Sequence, residues 1–128
     1  MLRNTIWAWF LAATVLSAAG AVDFARDIQP IFGQACYRCH GEKAQMGRLR
    51  LDARAAALRG GNSGGLLQPG KAEASLLYQR VAGLGDQARM PMGGKPLTAS
   101  QIASLREWIN TGAEWPEDAR AKAVEAKK

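Results

Sequence analysis

Asp23-Phe24-Ala25-Arg26-Asp27-Ile28-Gln29-Pro30-Ile31-Phe32-Gly33-Gln34-Ala35-Cys36-Tyr37-Arg38-Cys39-His40 is the stretch on which the reading of this chain turns. Its first part carries apolar residues at Phe24, Ile28, Ile31, Phe32 and Ala35, the recurrence of one helix face. Asp23 or Asp27 is placed to cap that helix, and Pro30 either kinks it or opens its second half. The helix delivers the chain into Cys36-Tyr37-Arg38-Cys39-His40, which holds both cysteines and the only histidine of the 128-residue protein. Two cysteines are too few for a disulfide-stapled miniprotein. The length fits one domain, and a composition 48% apolar and 22% charged excludes a wholly disordered chain.

Downstream of the cluster, residues 41–51 read as a loop, with Gly41, Gly47 and the short alternation Leu49-Arg50-Leu51. Asp52 is a good N-cap for a short helix through Leu58, stopped by Gly60-Gly61. Gly60 to Gly70 holds five glycines and one proline and is a surface loop; it lacks the lysine and helix start of a phosphate loop. A further helix is expected over Ala72 to Val81, with Leu76, Leu77, Tyr78 and Val81 on its apolar side. Gly83 to Pro96 is irregular and contains Arg89-Met90-Pro91-Met92. Thr98-Ala99-Ser100-Gln101 has capping-box form and begins the best-marked helix, with Ile102, Leu105, Trp108 and Ile109 on one face and Gly112 placed to stop it. No strand pattern and no internal repeat is visible. The fold class is all-α, small and loop-rich.

The N-terminal residues have the form of an export signal over 1–21. Arg3 is basic, Ile6 to Leu16 is apolar, and Ala19 and Ala21 form an A-x-A cleavage site. Against the about 20 apolar residues of a membrane-spanning helix this stretch is marginal; an uncleaved anchor is the alternative. No cysteine near the cut suggests a lipoprotein, and no twin arginine is present. The expected location is the periplasm, with no stable membrane insertion once the signal is removed. Cleavage leaves 107 residues, comprising a domain at 22–116 and a charged tail at 117–128, and lowers the net charge from +6 to +5. The excess lies in Val22 to Ala113, with 12 bases against 7 acids. A basic body points to acidic partner surfaces. Nucleic acid is not expected, since no basic helix or aromatic interleaving appears.

A C-x-x-C-H string is the attachment signature of c-type haem. Two thiols three positions apart on one turn can each reach a vinyl group on the same porphyrin edge, and the adjacent histidine then binds iron from the proximal side. Such attachment occurs on the exported side of the membrane, in agreement with the signal. The rivals fit less well. A thioredoxin-like redox pair needs βαβ elements that are not readable here. A zinc site usually has four protein ligands, and this cluster offers three. A plain Cys36–Cys39 disulfide leaves His40 unexplained. Because His40 stands alone, a sixth iron ligand has to come from another residue type, and methionine is the natural candidate. Met46 follows His40 too closely to round the haem edge without strain. Met90 and Met92 sit in a loop free to cover the opposite face.

Beyond the haem motif, an ordered set of segments resembles the planctomycete-type cytochrome c domain family over nearly all of Phe24 to Pro116. They are Arg26-Asp27-Ile28-Gln29-Pro30-Ile31-Phe32, Cys36-Tyr37-Arg38-Cys39-His40-Gly41, Gly47-Arg48-Leu49-Arg50-Leu51-Asp52, Gly60-Gly61, Pro69-Gly70, Met90-Pro91, Leu105-Arg106-Glu107-Trp108-Ile109 and Gly112-Ala113-Glu114-Trp115-Pro116. The resemblance implies a small cytochrome c-like helical domain around one covalent haem c, with the methionine of a Met-Pro-Pro turn as distal ligand. Carried over, that position is Met90. The second proline of the turn is Met92 here, so two thioethers flank Pro91 and both stay in view.

The reading is a monohaem electron carrier, not an enzyme. Cys36, Cys39, His40 and Met90 bind the cofactor, with His40 and Met90 on the iron, and redox proteins serve as donor and acceptor. A subunit permanently docked on a larger oxidoreductase, or a five-coordinate haem enzyme of peroxidase or gas-binding type, are the alternatives. The enzyme would need a distal acid-base group, and no second histidine exists to serve. Arg48, Arg50, Arg54 and Arg59 cluster after the motif, either as propionate partners or as a solvated basic face. Trp108 and Trp115 are expected in the core, packed on the haem.

Overall fold

The computed structural model describes residues 21–117. Residues 1–20 of the expected signal segment (1–21) and residues 118–128 of the expected tail (117–128) lie outside the described residues. Four α-helices follow in order: α1 (Gln29–Ala35), α2 (Arg54–Arg59), α3 (Leu76–Ala82) and α4 (Ala99–Asn110). Short 3-10 turns at Met46–Arg48 and Ala72–Ala74 punctuate the connections. Among the described residues there is no strand, only the isolated bridges His40 to Gln45 and Gly61 to Gly64. None of the described helices is long and apolar enough to cross a membrane.

The first helical segment is two pieces. Asp23 caps it, its side chain accepting from the Arg26 N–H. Phe24–Ile28 is then a wide π-turn, in which the Gln29 N–H donates to the Phe24 carbonyl five residues back. Pro30 opens α1, as one of the two sequence readings had it. The physical reason is its ring, which removes a donor and crowds the carbonyl four residues earlier; a widened turn relieves that crowding. Both pieces keep one apolar face, with Phe24, Ile28, Ile31 and Phe32 buried.

At the far end of the chain, α4 starts with the expected capping box, Thr98 and Gln101 each satisfying the other's backbone N–H. Leu105, Trp108 and Ile109 are buried along it, and Ile102 packs against the core. Gly112 at φ 116 stops the helix, and the Ala113 N–H turns back to the Trp108 carbonyl at 2.8 Å. That reversal drops Trp115 onto Phe24, with ring centroids 4.7 Å apart and nearly parallel. Phe32 and Trp108 complete a four-ring cluster at centroid separations of 5.6–6.1 Å to their neighbours. The two ends of the domain are closed on each other by aromatic packing, the most area-rich contact available to so small a core.

The middle of the chain wraps this framework. The 60–71 loop is tied to α4 by the Gly70 N–H on the Ile109 carbonyl (2.7 Å) and the Ala72 N–H on the Asn110 side chain (2.9 Å). Fully buried Ser75, which composition gave no reason to single out, accepts from the Gln68 N–H and donates back to the Lys71 carbonyl. Here one sequence expectation is corrected. Asp52 does not cap α2; Ala53 holds that position, and no side chain caps it. The Asp52 carboxylate is buried and accepts from Nε and Nη2 of Arg50, each at 2.8 Å. In an extended segment, residues two apart share a face, so Arg50 reaches Asp52 before a helix N–H can.

Candidate functional site

The Cys36–His40 stretch is positioned by the end of α1. The Cys36 and Tyr37 N–H groups both return to the Phe32 carbonyl, at 2.9 and 3.0 Å. The chain then makes one further turn, with Cys39 and His40 donating to the Cys36 carbonyl at 3.2 and 2.9 Å. That turn brings Cys36, Cys39 and His40 together. Two later segments grip it: the Met46 N–H on the Cys39 carbonyl (2.9 Å) and the Leu51 N–H on the His40 carbonyl (2.8 Å). Gly41 is buried at its exit, where a Cβ would stand 2.5 Å from the Tyr37 carbonyl oxygen. Only glycine lets the chain leave the turn so tightly.

Both cysteines are free thiols and half-buried, with Cys36 packed against the hydrophobic core. Burial pushes the Cys36 thiol up to about 12, with the neighbouring Cys39 adding to the shift. A dithiol redox catalyst needs the opposite, a thiol lowered into the thiolate form near neutrality. The described residues also contain no group of three or more His, Cys, Asp or Glu arranged to hold a bare metal ion. What the turn offers is two reduced thiols on one face and an imidazole whose Nδ1 is buried without a hydrogen-bond partner. That donor set fits a prosthetic group held through sulfur and ligated through nitrogen.

Met90 stands on a separate loop, fifty residues on. Its N–H donates to the Arg80 carbonyl of α3 at 2.9 Å, and it precedes the cis Met90–Pro91 bond. Met90 is half-buried, whereas Met92 and Met46 are 63% and 60% exposed. Of the four clustered arginines, Arg50 is engaged by Asp52, and Arg54 reaches Glu117 at 3.2 Å while its Nε is buried without a partner. Arg48 and Arg59 are exposed. Trp108 and Trp115 lie in the core, as expected, and the Trp108 indole N–H is satisfied by the Glu114 carbonyl. The Arg50–Asp52 pair beside the turn was missed from sequence, although its spacing of two in a Leu-x-Leu alternation was a usable signal.

A small all-helical domain with a C-x-x-C-H turn at the end of its first helix is consistent with a cytochrome c-like fold. Residues 36–92 match the family model of the Planctomycete cytochrome C family. The match opens at the first cysteine of the turn and closes two residues past Met90. No curated protein and no solved structure matches the chain.

Proposed function

We propose that this protein is an exported monohaem c-type cytochrome that carries single electrons between redox proteins of the periplasm. The observation that carries the reading is the hydrogen-bonded Cys36–His40 turn inside a cytochrome family domain. When bound, haem supplies a one-electron Fe(III)/Fe(II) couple. Cys36 and Cys39 would hold the porphyrin as thioethers, with His40 the proximal ligand. Gly41 and the Leu51 N–H fix the backbone that aims the imidazole. Met90 would be the distal ligand, favoured over Met92 by its half-burial and its tether to α3. A thioether there raises the reduction potential relative to a second imidazole. The chain has no second histidine to move protons on a bound substrate, which suits a carrier better than a peroxidase. The signal at 1–21 directs the protein to the compartment where covalent attachment takes place, and the basic body favours acidic donor and acceptor surfaces.

A spectroelectrochemical titration tests this. The expected result is one reversible one-electron wave, a six-coordinate spectrum and a methionine–iron charge-transfer band in the oxidised form. A five-coordinate oxidised spectrum would reject the carrier reading in favour of a haem enzyme.

A further inference from the structure

We propose that the Arg50–Asp52 pair is a positioning device for His40, a two-point brace that holds Leu51 against the histidine's carbonyl from outside the attachment turn. The inference rests on the electron-carrier reading above and deepens it. Asp52 is the one buried carboxylate among the described residues, its side chain 1% exposed. Arg50 covers it, donating from Nε and Nη2 to separate carboxylate oxygens at 2.8 Å each. A fork of this kind fixes direction as well as distance. Taking a carboxylate out of water is costly even when it is paired, and an apolar side chain serves stability about as well. Stability is therefore a weak reason for the pair, and its place in the fold supplies a better one.

The pair sits astride the residue that grips the histidine. Side chains alternate along extended backbone, so Arg50 and Asp52 share one face while Leu49 and Leu51 pack on the core. Leu51 is thus held three ways. Its side chain is buried, its N–H donates to the His40 carbonyl at 2.8 Å, and its two neighbours are locked to each other across it. Asp52 also faces a cavity of about 330 Å³, shared with Tyr37, Arg38 and Gly41 of the turn and with Glu42 and Lys43 beyond it. Because this space is open, close packing does not set where the segment stands against the turn; the polar pair does. Charge works in the same sense. Arg38 and Lys43 line the cavity with Glu42 and Asp52, and the field of Glu42 also reaches Arg50. Neutralising Asp52 leaves three cations and one carboxylate there, and their repulsion acts on the segment that holds His40.

The imidazole itself shows why the backbone matters. A ligating histidine is ordinarily oriented through its second ring nitrogen, which donates to a carboxylate or a carbonyl. The His40 Nδ1 is buried and finds no acceptor among the described residues. The ring therefore takes its direction from the main chain. On one side the His40 N–H is fixed to the Cys36 carbonyl at 2.9 Å, and on the other the His40 carbonyl is fixed by Leu51. The brace acts on the second of these two points.

The test uses the haem-loaded full chain as the native protein, Asp52→Asn, Arg50→Lys and the control Glu73→Gln, which breaks the exposed pair with Arg106. Two quantities are read. One is amide hydrogen exchange at Leu51 relative to Ile109, a buried residue of α4. The other is the set of g-values of the oxidised low-spin haem by electron paramagnetic resonance, which follow the orientation of the axial ligands. Asp52→Asn is expected to speed Leu51 exchange about tenfold or more relative to Ile109 and to shift the g-values. Arg50→Lys keeps the charge but loses the fork, so a smaller change in the same direction is expected, and Glu73→Gln should change neither quantity. Native g-values in Asp52→Asn overturn the positioning role, as does exchange that rises equally at Leu51 and Ile109, the mark of a pair that only adds stability. If Asp52→Asn does not load haem, Arg50→Lys decides alone, and a native exchange ratio with native g-values overturns the proposal. A five-coordinate oxidised spectrum in the native protein overturns the carrier reading instead and leaves the brace to be judged by Leu51 exchange.

Discussion

Between Cys36 and Leu51 the chain returns to itself repeatedly through the backbone: Phe32 holds Cys36 and Tyr37, Cys36 holds Cys39 and His40, and Cys39 and His40 hold Met46 and Leu51. From Gly83 to Pro96 it is fastened differently. The Leu84 N–H reaches the Gln79 carbonyl and the Met90 N–H the Arg80 carbonyl. The remaining ties are side chains, Arg80 to Gln87 and the Arg89 guanidinium lying over Gly83. Residues 83–89 are all exposed. The cysteine–histidine half of the proposed site is thus part of the folded framework, whereas its proposed methionine half is a strap tied to α3. Local stability follows buried contacts and protected hydrogen bonds, so damage to the first half should cost the cofactor and the fold together. Damage to the second should retune a site that survives.

The largest effect expected from that contrast is in Cys36→Ala/Cys39→Ala. In a domain that spans the described residues 21–117 the core is small, and a covalently held apolar group would supply part of it. The variant should carry no haem through denaturing electrophoresis and should lose most of its helical circular dichroism. A well-ordered, haem-free variant would show instead that the four-ring cluster suffices alone. Next comes Gly41→Ala. Its Cβ would meet the Tyr37 carbonyl at 2.5 Å, a backbone contact that no rotamer change relieves. A loss of about 2–3 kcal/mol in urea unfolding is expected, with reduced haem incorporation. The same change at Gly47 meets nothing within 4 Å and costs only the strain of its φ of 64°.

The same contrast governs what could be read from the residues alone. Cys36, Cys39 and His40 are neighbours in sequence, so their grouping needed no tertiary information. The apolar faces of α1 and α4, and the Thr98–Gln101 box, follow from local periodicity and capping chemistry. Met90 was different: three methionines lie beyond the first residue, their thioethers are chemically equivalent, and only the family resemblance ranked them. Asp52 was misassigned because its capping propensity was weighed without Arg50, which stands two residues earlier on the same face of an extended segment and takes the carboxylate. Ser75 and the Asn110 side chain escaped notice because the backbone groups they satisfy, at Gln68 and Lys71 and at Ala72, reach them only once the chain is folded.

Met90→Ala probes the strap directly. The charge-transfer band should vanish and the reduction potential fall, while the urea midpoint moves little, because Met90 is half-buried at the surface. Met92→Ala, at an exposed position, should preserve both band and potential. The reverse pattern would move the ligand to Met92 and make the strap two residues longer.

The smallest effect is the most discriminating. Gly83 ends α3 at φ 69°, and a Cβ there would stand 2.7 Å from the Arg89 Nε and Nη2. The neighbour it meets is the far end of a flexible side chain, so the guanidinium can move, and the cost of Gly83→Ala is mainly backbone strain of about 1 kcal/mol. Arg89 immediately precedes Met90, however, and its displacement loosens the strap where it meets the helix. The variant should therefore keep its covalent haem and its fold while the charge-transfer band weakens or becomes more temperature-dependent. Arg89→Ala, which removes the overlying group without straining the helix end, should do likewise with less loss of stability. A full-strength band in both variants would mean that the Met90 N–H bond to Arg80 alone fixes the strap, and the two halves of the site would then both be held by backbone.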